Sequence, residues 1–211
     1  MDPSISDREL LRLAFENAAA LRRGVIATAL SSRPALAFFG PGVSVIGGER
    51  LKVGRGVRVG ERVLLNARGG EIELGENVSL GAFSRLVVST SIRDPSGFIR
   101  IGPNVGIGEF AYVGGAGGVE IGADTIVGQY LSLHPENHVF SDREKPIRLQ
   151  GVTRKGIRIG SNCWIGAKVT VLDGVSVGND SVIAAGAVVT KSFPEGSVIG
   201  GVPARLLKRR A

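Results

Sequence analysis

Aliphatic side chains recur at every sixth position along much of this chain, most cleanly at Val171, Val177, Ile183 and Val189. A half-buried strand alternates with period two and an amphipathic helix repeats near 3.6, so a sustained period of six is neither alone. Three sixes make a turn of about 18 residues, enough for three short strands joined by tight corners, and stacking such turns predicts a parallel β-helix. The register opens at Val53-Gly54, Val59-Gly60 and Leu65, and continues through Leu74, Leu80 and Leu86. It resumes at Ile101, Ile107 and Val113, then at Ile121, Val127 and Leu133, and finally runs from Ile159 and Ile165 into the clean block. Two positions before these residues sits a second inward candidate, among them Val57, Val63, Thr125, Cys163, Val169 and Ser181, as alternation within a short strand requires.

Outside this register the pattern changes. Residues 5–23 carry Leu10, Leu13 and Leu21 at helical spacing, with Asp7 placed to cap the start, and predict one amphipathic helix. Residues 24–50 have turn signals and no clear period, so 1–50 divides into a helix and a connector, 51–204 is the coiled domain, and 205–211 is a basic tail. The coil around Leu86 to Arg100 is irregular, with "RDPSG" as a turn. Between Leu133 and Ile159 the repeat breaks into a polar, Pro- and Gly-containing stretch, and a loop over 139–158 leaves the prism there. Both histidines, His134 and His138, lie at its root.

Composition fits a solenoid: Gly is 32 of 211 residues and aromatics are 5%, so aliphatic residues and Ala build the core while Gly serves the corners. A single Cys and the lack of a secretory apolar segment point to a reducing, cytoplasmic location. No apolar run approaches the roughly 20 residues a spanning helix needs. The N-terminal helix is expected to pack on the domain or a sister subunit, or to touch the inner face of a membrane through Arg22, Arg23 and the Phe38-Phe39 pair. The net charge of +7 suggests an acidic partner without choosing between a phosphorylated cofactor, anionic lipid and nucleic acid.

The pattern [LIV]-Gly-x4 over most of 53–200, ending in "GGVPARLLKRR", resembles the hexapeptide-repeat acyltransferases over about three quarters of the chain. The resemblance implies a left-handed parallel β-helix, a triangular prism, although parallel crossovers are right-handed in nearly all folds. It also implies a homotrimer with the active site between neighbouring subunits. In the maltose and galactoside acetyltransferase branch a catalytic histidine opens the loop; it falls on His138 in "NHVFSD", with a four-residue shift to His134-Pro135 as the alternative. An imidazole suits the task, because acetyl transfer from a thioester needs a base that is neutral at pH 7 yet accepts a proton, and its pKa is about 6.5. Asn137 and Asp142 are candidates for the acceptor, and Asp142 and Glu136 either for orienting the ring or for binding sugar hydroxyls. Carried over by position, Trp164, Gly166 and Ala167 of "CWIGA", Ala185, Thr190 and Lys191 of "AAGAVVTK", and Arg205 and Lys208 of "GVPARLLK" would bind acetyl-coenzyme A, the last two suiting phosphate.

Cys163 is assigned to the core, so no acyl-enzyme is expected, and two histidines fall short of the three that hold zinc in the carbonic anhydrases built on this prism. No metal is expected. No nucleic-acid motif is present, and "GGAGG" at 114–118 lacks the Lys-Ser/Thr of a P-loop and suits a corner between coils. "NH-x-F-x-D…P-I-x-x-Q-G-V-T-R-K" looks most like transferases that O-acetylate a sugar of bacterial surface polysaccharide. The alternatives are N-acetylation of a nucleotide-linked amino sugar and a non-catalytic scaffold or membrane-surface adaptor. Serine acetylation fits less well, since those enzymes carry a larger N-terminal helical domain than the 50 residues here.

Overall fold

Every aliphatic residue of the sixfold register is buried, and so are the second inward positions, Thr125 and Ser181 included. The computed structural model describes residues 6–29, 35–89 and 97–210. In it the coils place short strands on three sheets of nine, seven and six strands, parallel apart from the last strand of the first, which form the first, second and third faces of a triangular prism. Along the first face Ile126, Trp164 and Val182 stand one above another. Trp164 precedes Val182 by 18 positions, as the period predicts, whereas Ile126 precedes Trp164 by 38. The excess is the loop that leaves the second–third corner.

At two of the corners residues other than glycine turn through left-handed backbone. At the third–first corner Asn77, Asn104, Asp124, Asn162 and Asp180 take φ between 54 and 59°, residue types that tolerate it. Their amides form a ladder, Asn77 to Asn104 at 3.1 Å and Asn104 to Asp124 at 2.9 Å. At the first–second corner the same conformation, φ 58 to 60°, is taken by Phe83, Phe110 and Tyr130. Their rings stack at 5.2 and 5.0 Å between centroids and within 7° of parallel.

The helix α1 spans Asp7–Thr28. Its cap is Ser6 rather than Asp7: the Ser6 hydroxyl accepts from the Glu9 N–H, and the Glu9 carboxylate accepts from the Ser6 N–H at 2.9 Å. These Ser6 donors hold the Glu9 carboxyl below its ordinary pKa. The helix lies on the first coil of the prism. At Gly24 an added Cβ would come within 1.9 Å of the Ala37 carbonyl oxygen, so only glycine permits this approach. Arg23 donates to the Phe39 carbonyl at 2.8 Å. The opposite side of α1 leaves Leu11, Phe15 and Ile26 exposed. Among the described residues no helix is long and apolar enough to cross a membrane.

Two expected boundaries move. The segment 24–50 is not only a connector: strands Phe38–Phe39 and Ser44–Ile46 pair with Arg58–Val59 and Leu64–Asn66 and form the first coil. Its signal, Phe39-Gly40 followed six positions later by Val45, is hidden because an aromatic stands where an aliphatic is expected. The basic tail is likewise part of the fold, since Ala204–Arg209 is a strand antiparallel to Ser197–Gly201 on the first face. The expected "RDPSG" turn lies outside the described residues apart from Gly97.

Candidate functional site

The loop at the second–third corner begins as a ribbon. Immediately beyond strand Ser132–His134, the pair Asn137–His138 runs antiparallel to Val152–Thr153. Glu136 and Arg154 join the two legs of this stem with an ion pair of 2.6 Å. The returning leg is held from the next coil, where the Asp173 carboxylate accepts from the N–H groups of Lys155 and Gly156 at 2.8 and 2.9 Å. Farther out the loop closes on itself, with Gln150 bonded to the backbone of Asp142 and Lys145.

Where the loop leaves the prism lies a cavity of about 260 Å³. Three successive coils build it: Val87, Val88 and Ser89 below, Gly114, Gly115 and Ala116 in the middle, and His134, Pro135, Glu136 and His138 above, with Tyr112 at the side. "GGAGG" is therefore a corner, as expected, and also a wall of this cavity. The two histidines stand differently. His134 Nε2 and Ser132 Oγ are 2.7 Å apart and share a hydrogen bond, and the imidazole stacks on Tyr112 at 5.5 Å between centroids. His138 is exposed at the cavity's edge with no hydrogen bond from its ring to another described residue.

Not every candidate meets at this point. Asn137 and Asp142 do not line the cavity; Asp142 accepts from the Glu144 N–H at 3.0 Å and faces Lys145 at 3.4 Å, within the loop. Glu136 lines the cavity but is held by Arg154. The residues assigned to acetyl-coenzyme A fall at two edges. Trp164, 57% exposed, stands on the first face, and Gly166, Ala167 and Ala185 lie at or beside the first–second corner. An added Cβ at Gly166 would come within 2.4 Å of the Ala185 nitrogen, so the coil stacking itself demands this glycine. Arg205 and Lys208 are exposed on the outermost strand of the first face. Thr190 and Lys191 leave the second face toward the third, with Lys191 Nζ 5.7 Å from the Phe193 ring centroid. One chain therefore puts His138 and the expected coenzyme residues Gly166, Ala167 and Ala185 at opposite edges of its second face.

Cys163 is 2% exposed, and burial pushes its thiol above the ordinary range. A larger concavity, about 1140 Å³ on the third face, contains neither histidine. Glu120 in its wall lies 3.4 Å from both Arg100 and Arg158. Among the described residues no three His, Cys, Asp or Glu side chains gather at metal-binding range.

Residues 156–191 match the family model described as the hexapeptide repeat of succinyl-transferase. WbbJ of Escherichia coli strain K12, named for lipopolysaccharide-biosynthesis O-acetyl transfer, is 31% identical over 153 residues, covering 66% of this chain and 72% of that protein. Rv3034c of Mycobacterium tuberculosis, named as an acetyltransferase, is 27% identical over 204 residues, 95% of this chain; the chain spans only 55% of that relative's length. Among solved structures, the N-acyltransferase AntD from Bacillus cereus, in complex with dTDP-4-amino-4,6-dideoxyglucose and coenzyme A, superposes with a TM-score of 0.57 at 16% identity, over 84% of this chain and 82% of that one. The shared fold is the left-handed parallel β-helix. With the repeat, the fold and the Escherichia coli relative in agreement, the chain belongs to the hexapeptide-repeat acyltransferase family.

Proposed function

We propose that the protein transfers an acetyl group from acetyl-coenzyme A to a sugar hydroxyl of a bacterial surface polysaccharide, as a homotrimer with His138 as the general base. The observation that carries this reading is the contrast between the two imidazoles: Ser132 and Tyr112 hold His134, whereas His138 edges the cavity with its ring nitrogens open to an acceptor. His138 takes the proton of the acceptor hydroxyl as that oxygen attacks the thioester carbonyl carbon. The C–S bond then breaks, and the proton leaves with the thiol of coenzyme A. Buried Cys163 supports direct transfer over an acyl-enzyme. Ala167 and Ala185 leave a low track beside exposed Trp164 for the pantetheine arm, and Arg205 and Lys208 stand exposed on the last strand to meet phosphate. Thr190 and Lys191 would reach the coenzyme from the other edge. Contacts from Asn137 and Asp142 to the acceptor would come from the loop, not from the cavity wall.

The names of the Escherichia coli and mycobacterial relatives support acetyl transfer, and the former supports oxygen as the acceptor atom. The test is release of free coenzyme A from acetyl-coenzyme A with a panel of sugars, nucleotide-linked amino sugars and serine. His138→Ala is expected to lower the rate by about 10²- to 10⁴-fold, while His134→Ala retains most activity. Loss with His134→Ala alone would move the base to that residue, turnover with amines only would make the enzyme an N-acetyltransferase, and no turnover with any acceptor would favour a scaffold.

A further inference from the structure

One side of α1 holds the prism and the opposite side faces away from it. The contact side runs through Asn17, Ala20, Gly24 and Thr28, at the three- and four-residue spacing that keeps to one face of a helix. Asn17 and Ala20 border a hollow beside Phe38 and Arg58 of the first face, with Asn17 Oδ1 3.5 Å from Arg58. Gly24 is seated against the Ala37 carbonyl and Thr28 is buried. The outward line runs through Arg8, Leu11, Phe15, Ala18, Arg22 and Ile26, and every one of these is exposed. Leu11, Phe15 and Ile26 leave 61, 74 and 67% of their surface open. At 1.5 Å per residue the line is about 27 Å long.

An apolar stripe of this extent on a helix needs a cover, and its charge says which. The line carries two arginines and no carboxylate. On the flank of the helix, Glu9 and Glu16 are already engaged: Glu9 accepts from the N–H and hydroxyl of Ser6, and Glu16 accepts from Arg12 Nε at 2.8 Å. A second copy of the same face would set arginine against arginine, in a chain whose net charge is +7. An anionic bilayer answers both halves of the pattern. Headgroup phosphates accept from the guanidinium groups, and the long stem of arginine lets it reach them while Leu11, Phe15 and Ile26 sink to the acyl boundary.

The fold also changes which residues are available for such a contact. Of the set expected from the sequence, Arg23 donates to the Phe39 carbonyl, Phe39 is buried, and Phe38 lies under the Arg58 guanidinium, 4.6 Å from the ring centroid. Only Arg22 stands on the outward line.

We propose that the face of α1 formed by Arg8, Leu11, Phe15, Arg22 and Ile26 docks this protein on the surface of an anionic lipid bilayer, lying in the interface without crossing it. This goes beyond the transferase reading and does not rest on it.

Cosedimentation of the whole chain with lipid vesicles, without acceptor or coenzyme, tests it. Wild type is expected to pellet with vesicles of phosphatidylglycerol and phosphatidylcholine in equal parts, to stay in solution with phosphatidylcholine alone, and to be released as ionic strength rises. Phe15→Glu should weaken binding at least about 10-fold, because it removes apolar area and adds a repelled charge. Arg8→Gln with Arg22→Gln should weaken it about 10- to 30-fold by removing two cations. Both changes lie on the side away from the prism, so circular dichroism, melting and lipid-free mass should match wild type. Should Phe15→Glu fail to fold, the arginine variant decides, since Gln is a good helix former. No binding to the anionic vesicles, equal binding to the neutral ones, or wild-type binding by a folded variant would each overturn the proposal. A lower lipid-free mass for folded Phe15→Glu would overturn it too, because the face would then belong to a second copy of the chain.

Discussion

At the scale of residues, inward positions are filled by whatever satisfies burial in a narrow prism, and Cys163 illustrates the rule. Its thiol lies 3.5 Å from the carbonyl oxygens of Ser161 and Gly178, and the residue is 2% exposed. Desolvation disfavours the thiolate, which is why the group titrates above the ordinary thiol range. Because the pKa is raised on folding, the associated stability is fully present at neutral pH and is lost as pH climbs from the ordinary thiol range through the folded value. Iodoacetamide at pH 8 is therefore expected to leave the native protein unlabelled and to label it rapidly in denaturant; fast labelling of the native state would contradict this packing. The inward residues were legible because burial imposes a strict period on them. The aromatic row at the first–second corner was not, because its stacks join positions 20 and 27 apart in sequence. The only local sign is that each ring stands three residues after an inward aliphatic, at Leu80, Ile107 and Val127.

At the scale of elements, the loop shows what a break in a repeat can and cannot say. Its existence follows from the polar, Pro- and Gly-containing stretch after Leu133, but its stem does not. Strands of two residues carry no period, and the Glu136–Arg154 pair spans 18 positions. That pair is half-sheltered and ties the leg bearing His138 to the returning leg, which Asp173 in turn fixes to the next coil. On the proposed mechanism Glu136 and Arg154 act on His138 through the stem, as positioning residues. Small displacements of a reacting group are costly, on the order of 10²-fold for 1 Å. Glu136→Gln and Arg154→Gln are each expected to lower kcat about 10- to 100-fold with little change in KM for acetyl-coenzyme A, and the exchanged pair Glu136→Arg with Arg154→Glu to recover part of it. A fall in melting temperature with kcat unchanged would make the pair merely structural.

At the scale of the whole molecule, a solenoid has two ends, and each exposes what the interior coils cover for one another. The chain closes them with different devices. At the first coil α1 lies across the edge strand Phe38–Phe39, seated by Gly24 and tied by Arg23. At the last coil the strand Ala204–Arg209 folds back onto Ser197–Gly201, the Arg210 N–H donates to the Gly196 carbonyl at 2.7 Å, and Ala204 is buried. The basic composition of this segment disguises it as a solvated tail, yet charge on an outermost strand is how an exposed sheet edge is kept from pairing with other chains. Removing residues 204–211 deletes several backbone hydrogen bonds, each worth a net of about 0.5–1.5 kcal/mol. For a protein of this size each kcal/mol corresponds to about 2–4 °C, so the melting temperature is expected to fall by several degrees. Because each coil touches only its neighbours, amide exchange should accelerate across 176–201 and remain unchanged across 51–89. The newly bare edge of Ser197–Gly201 should also drive concentration-dependent association. A truncated chain with unaltered exchange and melting would mean that the last strand only decorates the prism and that the coil beneath it is self-sufficient.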